Sequence, residues 1–127
     1  DRAQSVSESE LIILRILWAQ DGPLMLSPLM ETLTAQGNQW KTNTVLTFLS
    51  RLEGKGMVRI GKVGRLNEYT ALVSEADYMA SVTREFVSDV YGGDAKRLIA
   101  SLLGNERLSR QDMEELRTFW KEEAADG

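Results

Sequence analysis

Lys41-Thr42-Asn43-Thr44, continued by Thr47 and Arg51, sets cations and short polar side chains at the spacing of a single helix. With Val45 at the middle of an apolar face, Phe48, Leu49 and Leu52 fall within about 60° of it. Asn43, Thr47, Ser50 and Gly54 fall on the other side, which carries no carboxylate. Such groups break no bonds; they make hydrogen bonds. Thr42, Asn43, Thr44 and Thr47 suit base edges and thymine methyl groups in a major groove, and Lys41 and Arg51 suit phosphates. An ordinary capped surface helix would use the same residue types. Arg59, Lys62 and Arg65 follow on or beside a turn, Lys62-Val63-Gly64-Arg65. A basic hairpin tip lies along a phosphate backbone or dips into a minor groove, although exposed tips are polar in most proteins.

The chain of 127 residues has no cysteine and no histidine. Disulfides, thiolate chemistry, Cys/His zinc sites and Ser-His-Asp triads are thereby excluded. Neither a metal nor a cofactor is expected. Glu114-Glu115 and Glu122-Glu123 read as solvated helix faces without pocket residues beside them, so no enzyme is expected. The net charge of −4 hides a split. Residues 1–72 hold eight Lys/Arg against seven Asp/Glu, residues 73–127 seven against twelve, and residues 41–65 six against one. Phosphate binding depends on such a local cluster rather than on the total.

These side chains need elements to hold them. Ser7 and Glu10 form a capping box, S-x-x-E, at the start of a first helix, with Leu11, Leu14, Ile16, Leu17 and Trp18 apolar and Asp21-Gly22-Pro23 as its stop. Ser27-Pro28 reads as the cap and first position of a second helix ending at Gly37. The third runs over residues 42–55 and stops at Gly56. Residues 57–60 and 66–72 read as a hairpin. Helix, helix, helix, hairpin in so short a chain is the order of a winged helix-turn-helix.

Behind it, three more helices are expected: residues 75–91, 94–103, and one capped by Ser109. Trp18 and Trp40 read as core. Phe119 and Trp120 lie too near a chain end to be buried by their own domain and read as contacts to a second subunit. The fold expectation is therefore mainly α with a small β-hairpin. It comprises a winged-helix DNA-binding domain over residues 7–73 and a helical dimerisation domain over residues 74–127, pairing through Tyr78, Val82, Phe86, Phe119 and Trp120.

The same residues resemble the penicillinase repressors, the BlaI/MecI group of winged-helix regulators to which copper-responsive CopY-type repressors also belong. The resemblance spans roughly residues 7–120 and is carried by several pieces in order. They are Ser9-Glu10 and Ile16-Leu17-Trp18, then Trp40, Thr44-Val45, Leu49, Arg51-Leu52 and Lys55-Gly56. Tyr69 and Leu72 follow, then Phe86, Tyr91 and Gly93, and finally Leu108-Ser109 and Glu114-Glu115-Leu116. It implies a homodimer on a palindromic double-stranded DNA operator, controlled by a membrane sensor protease system that leads to cleavage in the dimerisation domain. The corresponding bond is Ser101–Leu102, where the best-known members have Asn-Phe. Reference members also carry Lys and Arg where this chain has Asn43 and Leu46, so an operator sequence does not carry over. The CopY cysteine motif is absent.

Two other readings fit the residues: a ligand-gated winged-helix regulator with an effector pocket between head and tail, and a winged-helix protein-interaction module. The coincidence of the basic stretch with the third helix and the wing favours DNA over the latter. Residues 1–4 show no secretory apolar stretch, and no run approaches the length of a membrane span. Neither membrane insertion nor export is expected, and the expected location is the cytoplasm.

Overall fold

The computed structural model describes residues 5–105 and 107–126. Residues 1–4, whose sequence bears on the export expectation, lie outside them. The elements run α1 (Glu8–Ala19), β1 (Leu24–Met25), α2 (Leu26–Ala35), α3 (Thr42–Gly54), β2 (Val58–Val63), β3 (Leu66–Ala71), α4 (Glu75–Tyr91), α5 (Ala95–Gly104) and α6 (Arg110–Asp126). The chain divides into two compact units, one up to Val82 and one from Thr83 onward.

In the first unit, the capping box holds as expected. Ser7 Oγ accepts from the Glu10 amide at 3.2 Å, and the Ser7 amide donates to Glu10 Oε1 at 2.9 Å. Helices α2 and α3 close in the same way. Gly37 and Gly56 take φ of +90° and +75°, and the next amides, Asn38 and Met57, donate back to Leu33 and Leu52 at 2.9 Å. A left-handed glycine followed by this 6→1 bond satisfies helix-end carbonyls, and only glycine takes that φ without a Cβ penalty. The motif at Gly56 delivers the chain directly into β2.

The sheet has three antiparallel strands in the order β1-β3-β2. The expected hairpin is present, but its turn is shorter than the sequence suggested. Val63 pairs with Leu66 and Lys62 with Asn67, so Lys62 and Val63 belong to β2 and only Gly64-Arg65 turn. Gly64 sits at φ +63°, which a two-residue hairpin loop requires at its first position. The third strand, β1, was not anticipated; Leu24 pairs with Tyr69 and Met25 with Glu68. That pairing also moves the start of α2. Met25, held extended by β1, is the residue before the helix, and no side chain caps it. Ser27 is therefore not the cap, and Pro28 sits inside the first turn, where its missing N–H still costs nothing.

Ile13, Leu14, Leu29, Leu33, Val45, Leu49, Leu52 and Val58 are buried with Tyr69 in one cluster, so all three helices close on the sheet. Trp18 and Trp40 pack against its edge and are only partly buried. Trp18 Nε1 donates to the Val73 carbonyl at 2.8 Å, and its ring lies 5.7 Å from that of Tyr78. Tyr78 is thus 8% exposed and belongs to the same cluster. This corrects its expected place at a dimer face: the first turn of α4 is anchored to α1, and the compact head extends past residue 73.

In the second unit Ser109 caps the last helix as expected, while Asp94, expected as the first residue of α5, is its N-cap. Asp94 accepts from the Lys96 amide, and Ser109 and Asp112 exchange hydrogen bonds at 3.0 Å each. Phe86 meets Tyr91 edge-on at 5.7 Å.

Candidate nucleic-acid interface

Helix α3 buries Val45, Leu49 and Leu52 and leaves Thr42, Asn43, Thr47, Ser50 and Arg51 exposed, as its period requires. Lys41 stands at the N-cap without a side-chain hydrogen bond, and the first turn has no acid. The leading amides and the positive end of the helix dipole are then available to an anion. Trp40 packs edge-on to Phe48 at 5.2 Å, pinning the approach to α3. Thr44 is half-buried, so it supports the helix as well as facing outward. The Thr47 hydroxyl donates to the Asn43 carbonyl at 2.9 Å, which leaves its oxygen lone pairs and methyl for a partner.

The wing brings Arg65 to the same side of the head as the start of α3. Arg65 in the turn and Thr42 at the start of α3 line one groove, together with Leu46 and Leu66. Lys62, Arg65 and Arg59 are exposed, and none of them, nor Lys41 or Arg51, is ion-paired among the described residues. Lys55 is the exception within the basic stretch. Its Nζ lies 2.5 Å from Oε1 of Glu10, a residue 1% exposed, so this cation is consumed inside the head. Spacing alone could not reveal a partner 45 residues away.

Large apolar side chains are also exposed on each of the last three helices. Val82, Phe86, Phe119 and Trp120 are all exposed, Trp120 to 69%. They have company that the site expectation did not include. Met79, Val82, Phe86 and Val90 follow one another by three, four and four residues along α4, and all are exposed. Within the second unit, Ile99 and Leu102 of α5 and Met113, Leu116 and Trp120 of α6 line an apolar groove of about 770 Å³. The i, i+3 spacing of Ile99 and Leu102 was the sequence signal for the α5 wall.

Ser101 and Leu102 sit within α5, as the helix expected over residues 94–103 implies. Ser101 is half-buried, and its carbonyl accepts from both the Asn105 backbone amide at 3.1 Å and Asn105 Nδ2 at 2.9 Å. Among the described residues no helix is long and apolar enough to cross a membrane, and no acidic cluster could hold a metal ion.

Known proteins share this arrangement. The chain is 27% identical over 111 residues to the penicillinase repressor of Bacillus licheniformis, covering 87% of this chain and 85% of that one. It is 26% identical over 119 residues to the methicillin resistance regulatory protein MecI of Staphylococcus aureus (strain N315), covering 94% and 95%. The solution structure of the DNA-binding domain of the repressor BlaI superposes with a TM-score of 0.53 at 27% identity, covering 61% of this chain and 93% of that domain. The Bacillus licheniformis BlaI monomeric form in complex with the blaP half-operator gives 0.50 at 27% identity, covering 61% and 92%. The family profile described as penicillinase repressor matches residues 6–122, and with a winged-helix head whose third helix and wing share one face, this chain belongs to the penicillinase repressor family.

Proposed function

We propose that this protein is a dimeric transcriptional repressor that binds a palindromic operator in double-stranded DNA through α3 and the wing. The observation that carries the reading is the meeting of Thr42 and Arg65 on one groove, next to an uncapped, acid-free start of α3. Asn43, Thr42, Thr44 and Thr47 read bases, and Lys41, Arg51, Lys62 and Arg65 hold phosphates. A DNA complex of the similar BlaI head supports this assignment. Two such heads joined by one tail bind two half-sites related by the two-fold axis of the dimer. The exposed apolar rows on α4 and α6, with Phe119 at 60% and Trp120 at 69%, support pairing through the tail.

The repressor acts in the cytoplasm and is switched off through its tail, by a cut near Ser101–Leu102 under a membrane sensor protease system. The helical setting of that bond adds a requirement. A protease takes an extended segment, so the last turn of α5 must open first.

Footprinting on the DNA upstream of the chain's own reading frame tests the reading. Protection of two half-sites centred about one helical turn or a multiple of it apart is expected. Protection of a single half-site, or none, overturns it.

A further inference from the structure

The head carries a second feature that base and phosphate contacts leave unexplained. The groove shared by Thr42 and Arg65 has a volume of about 630 Å³, within the range of roughly 300–1,000 Å³ typical of small-molecule sites. Its walls are largely apolar: Met25, Leu26 and Met30 from one side, and Leu46 and Leu66 from the others. Base and phosphate contacts use the Thr42–Arg65 rim and leave these apolar walls without a partner. Three details define an occupant. Arg65 on the rim has no carboxylate partner among the described residues, and a guanidinium fork pairs best with a planar carboxylate. Asn67, also lining the groove, holds a buried Oδ1 that accepts no hydrogen bond. Buried amide oxygens without a partner are uncommon, because the lost hydration is not replaced, and a ligand N–H or O–H would supply the missing donor. Two methionines in the wall favour an aromatic ring, through sulfur–ring contacts.

We propose that this groove binds a small aromatic carboxylate bearing one N–H or O–H donor, and that this ligand and DNA exclude one another. The ring fills the apolar walls, the carboxylate pairs with Arg65, and the donor satisfies Asn67. The ligand occupies Arg65 and crowds Thr42, which the duplex also needs. The exclusion rests on the DNA-binding reading; the binding site does not. The head then releases DNA by competition, independently of any change in the tail.

The test uses the full chain with labelled methyl groups, titrated with indole-3-propionate, which carries a ring, one N–H and a carboxylate. Saturable shifts are expected at Met30, Leu46 and Leu66, abolished by Leu46→Glu. Arg65→Ala, or the methyl ester of the probe, should bind about tenfold more weakly. A naphthalene analogue lacking the N–H should also lose affinity for the wild-type chain. Ile99→Ala, in the apolar groove of the tail, should leave the probe affinity unchanged, which separates the two sites. Shifts confined to Ile99, Leu102 and Met113, no saturation by about 10 mM, or equal affinity for all three compounds would overturn the site. Adding the footprinted duplex should displace the probe. A duplex that binds without displacing it overturns the exclusion and leaves the DNA reading standing. A chain that binds the probe but no duplex overturns the DNA reading, and the exclusion with it, while the site stands.

Discussion

Lys55 Nζ lies 2.5 Å from Glu10 Oε1, so the residue that closes α3 is tied to the first turn of α1. The same carboxylate oxygen accepts from the Ser7 amide at 2.9 Å. Burial pushes the Glu10 carboxyl up, but the hydrogen bonds from Lys55 and Ser7 outweigh it and hold the group below its ordinary value of 4.5. One contact therefore fixes both the cap of α1 and the end of α3.

Removing one partner should hurt more than removing both. Lys55→Met leaves Glu10 buried without its cation and should cost about 3 kcal/mol, at the low end for buried pairs because Lys55 is partly exposed. Glu10→Leu combined with Lys55→Met should recover most of that loss. Urea denaturation of the three chains checks it, and additive losses would refute the coupling. Because the folded pKa lies below the unfolded one, the contribution of Glu10 is complete above about pH 5.5 and is lost as pH falls through the folded value. The pH-dependent part of stability between pH 6 and pH 3 should be smaller in the double variant.

Helix α3 and the wing should fail differently. Asn43→Ala should cost about 1–3 kcal/mol on the cognate operator and little on random DNA. Thr44→Ala should show the same selectivity with some loss of stability, because Thr44 is half-buried. Lys62→Ala or Arg65→Ala should weaken binding to both DNAs about equally and lower the salt slope by about one unit. Lys55→Met should leave the salt slope unchanged in the folded protein. Titrations at four salt concentrations separate these outcomes, and a larger specificity change from the wing would reverse the roles.

Dimerisation should follow the exposed apolar rows. Sedimentation of the full chain should give a dimer at micromolar concentration, and Phe119→Asp with Trp120→Asp should give a folded monomer. A fragment ending at Val82 should be a monomer with a native head. A fragment ending at Val73 lacks Tyr78, the partner of Trp18, and should be less stable by about 1–3 kcal/mol, the usual value of a buried aromatic. Equal stability of the two fragments would mean that Tyr78 contributes nothing to the head.

Cleavage near Ser101–Leu102 should be limited by helix opening. With a foreign protease site placed over residues 100–103, the cut should be slow, and Asn105→Ala should speed it by removing the side-chain hydrogen bond to the carbonyl of residue 101. The cut protein should lose its dimer and about 100-fold or more in operator affinity, because the second head no longer binds intramolecularly. Full operator binding by the cut protein would point to release by a ligand instead.

Residue spacing by itself determined most of the helices, the capping box at Ser7 and Glu10, the stops at Gly37 and Gly56, and the outward set Thr42, Asn43, Thr47 and Arg51. All of these depend on neighbours within one or two turns, where a 3.6-residue period or a left-handed glycine is legible. Tertiary structure alone decided the rest. The two residues of β1 are too few to show a period, and their pairing with Tyr69 and Glu68 is what starts α2 at Leu26 instead of Pro28. Cross-strand register, rather than composition, put Lys62 in β2 and left Gly64-Arg65 as the turn. Burial against Trp18 assigned Tyr78 to the head, and an ion pair 45 residues long in sequence took Lys55 out of the basic surface. Each of these is a contact between residues far apart along the chain, and distance along the chain carries no information about which of them will meet.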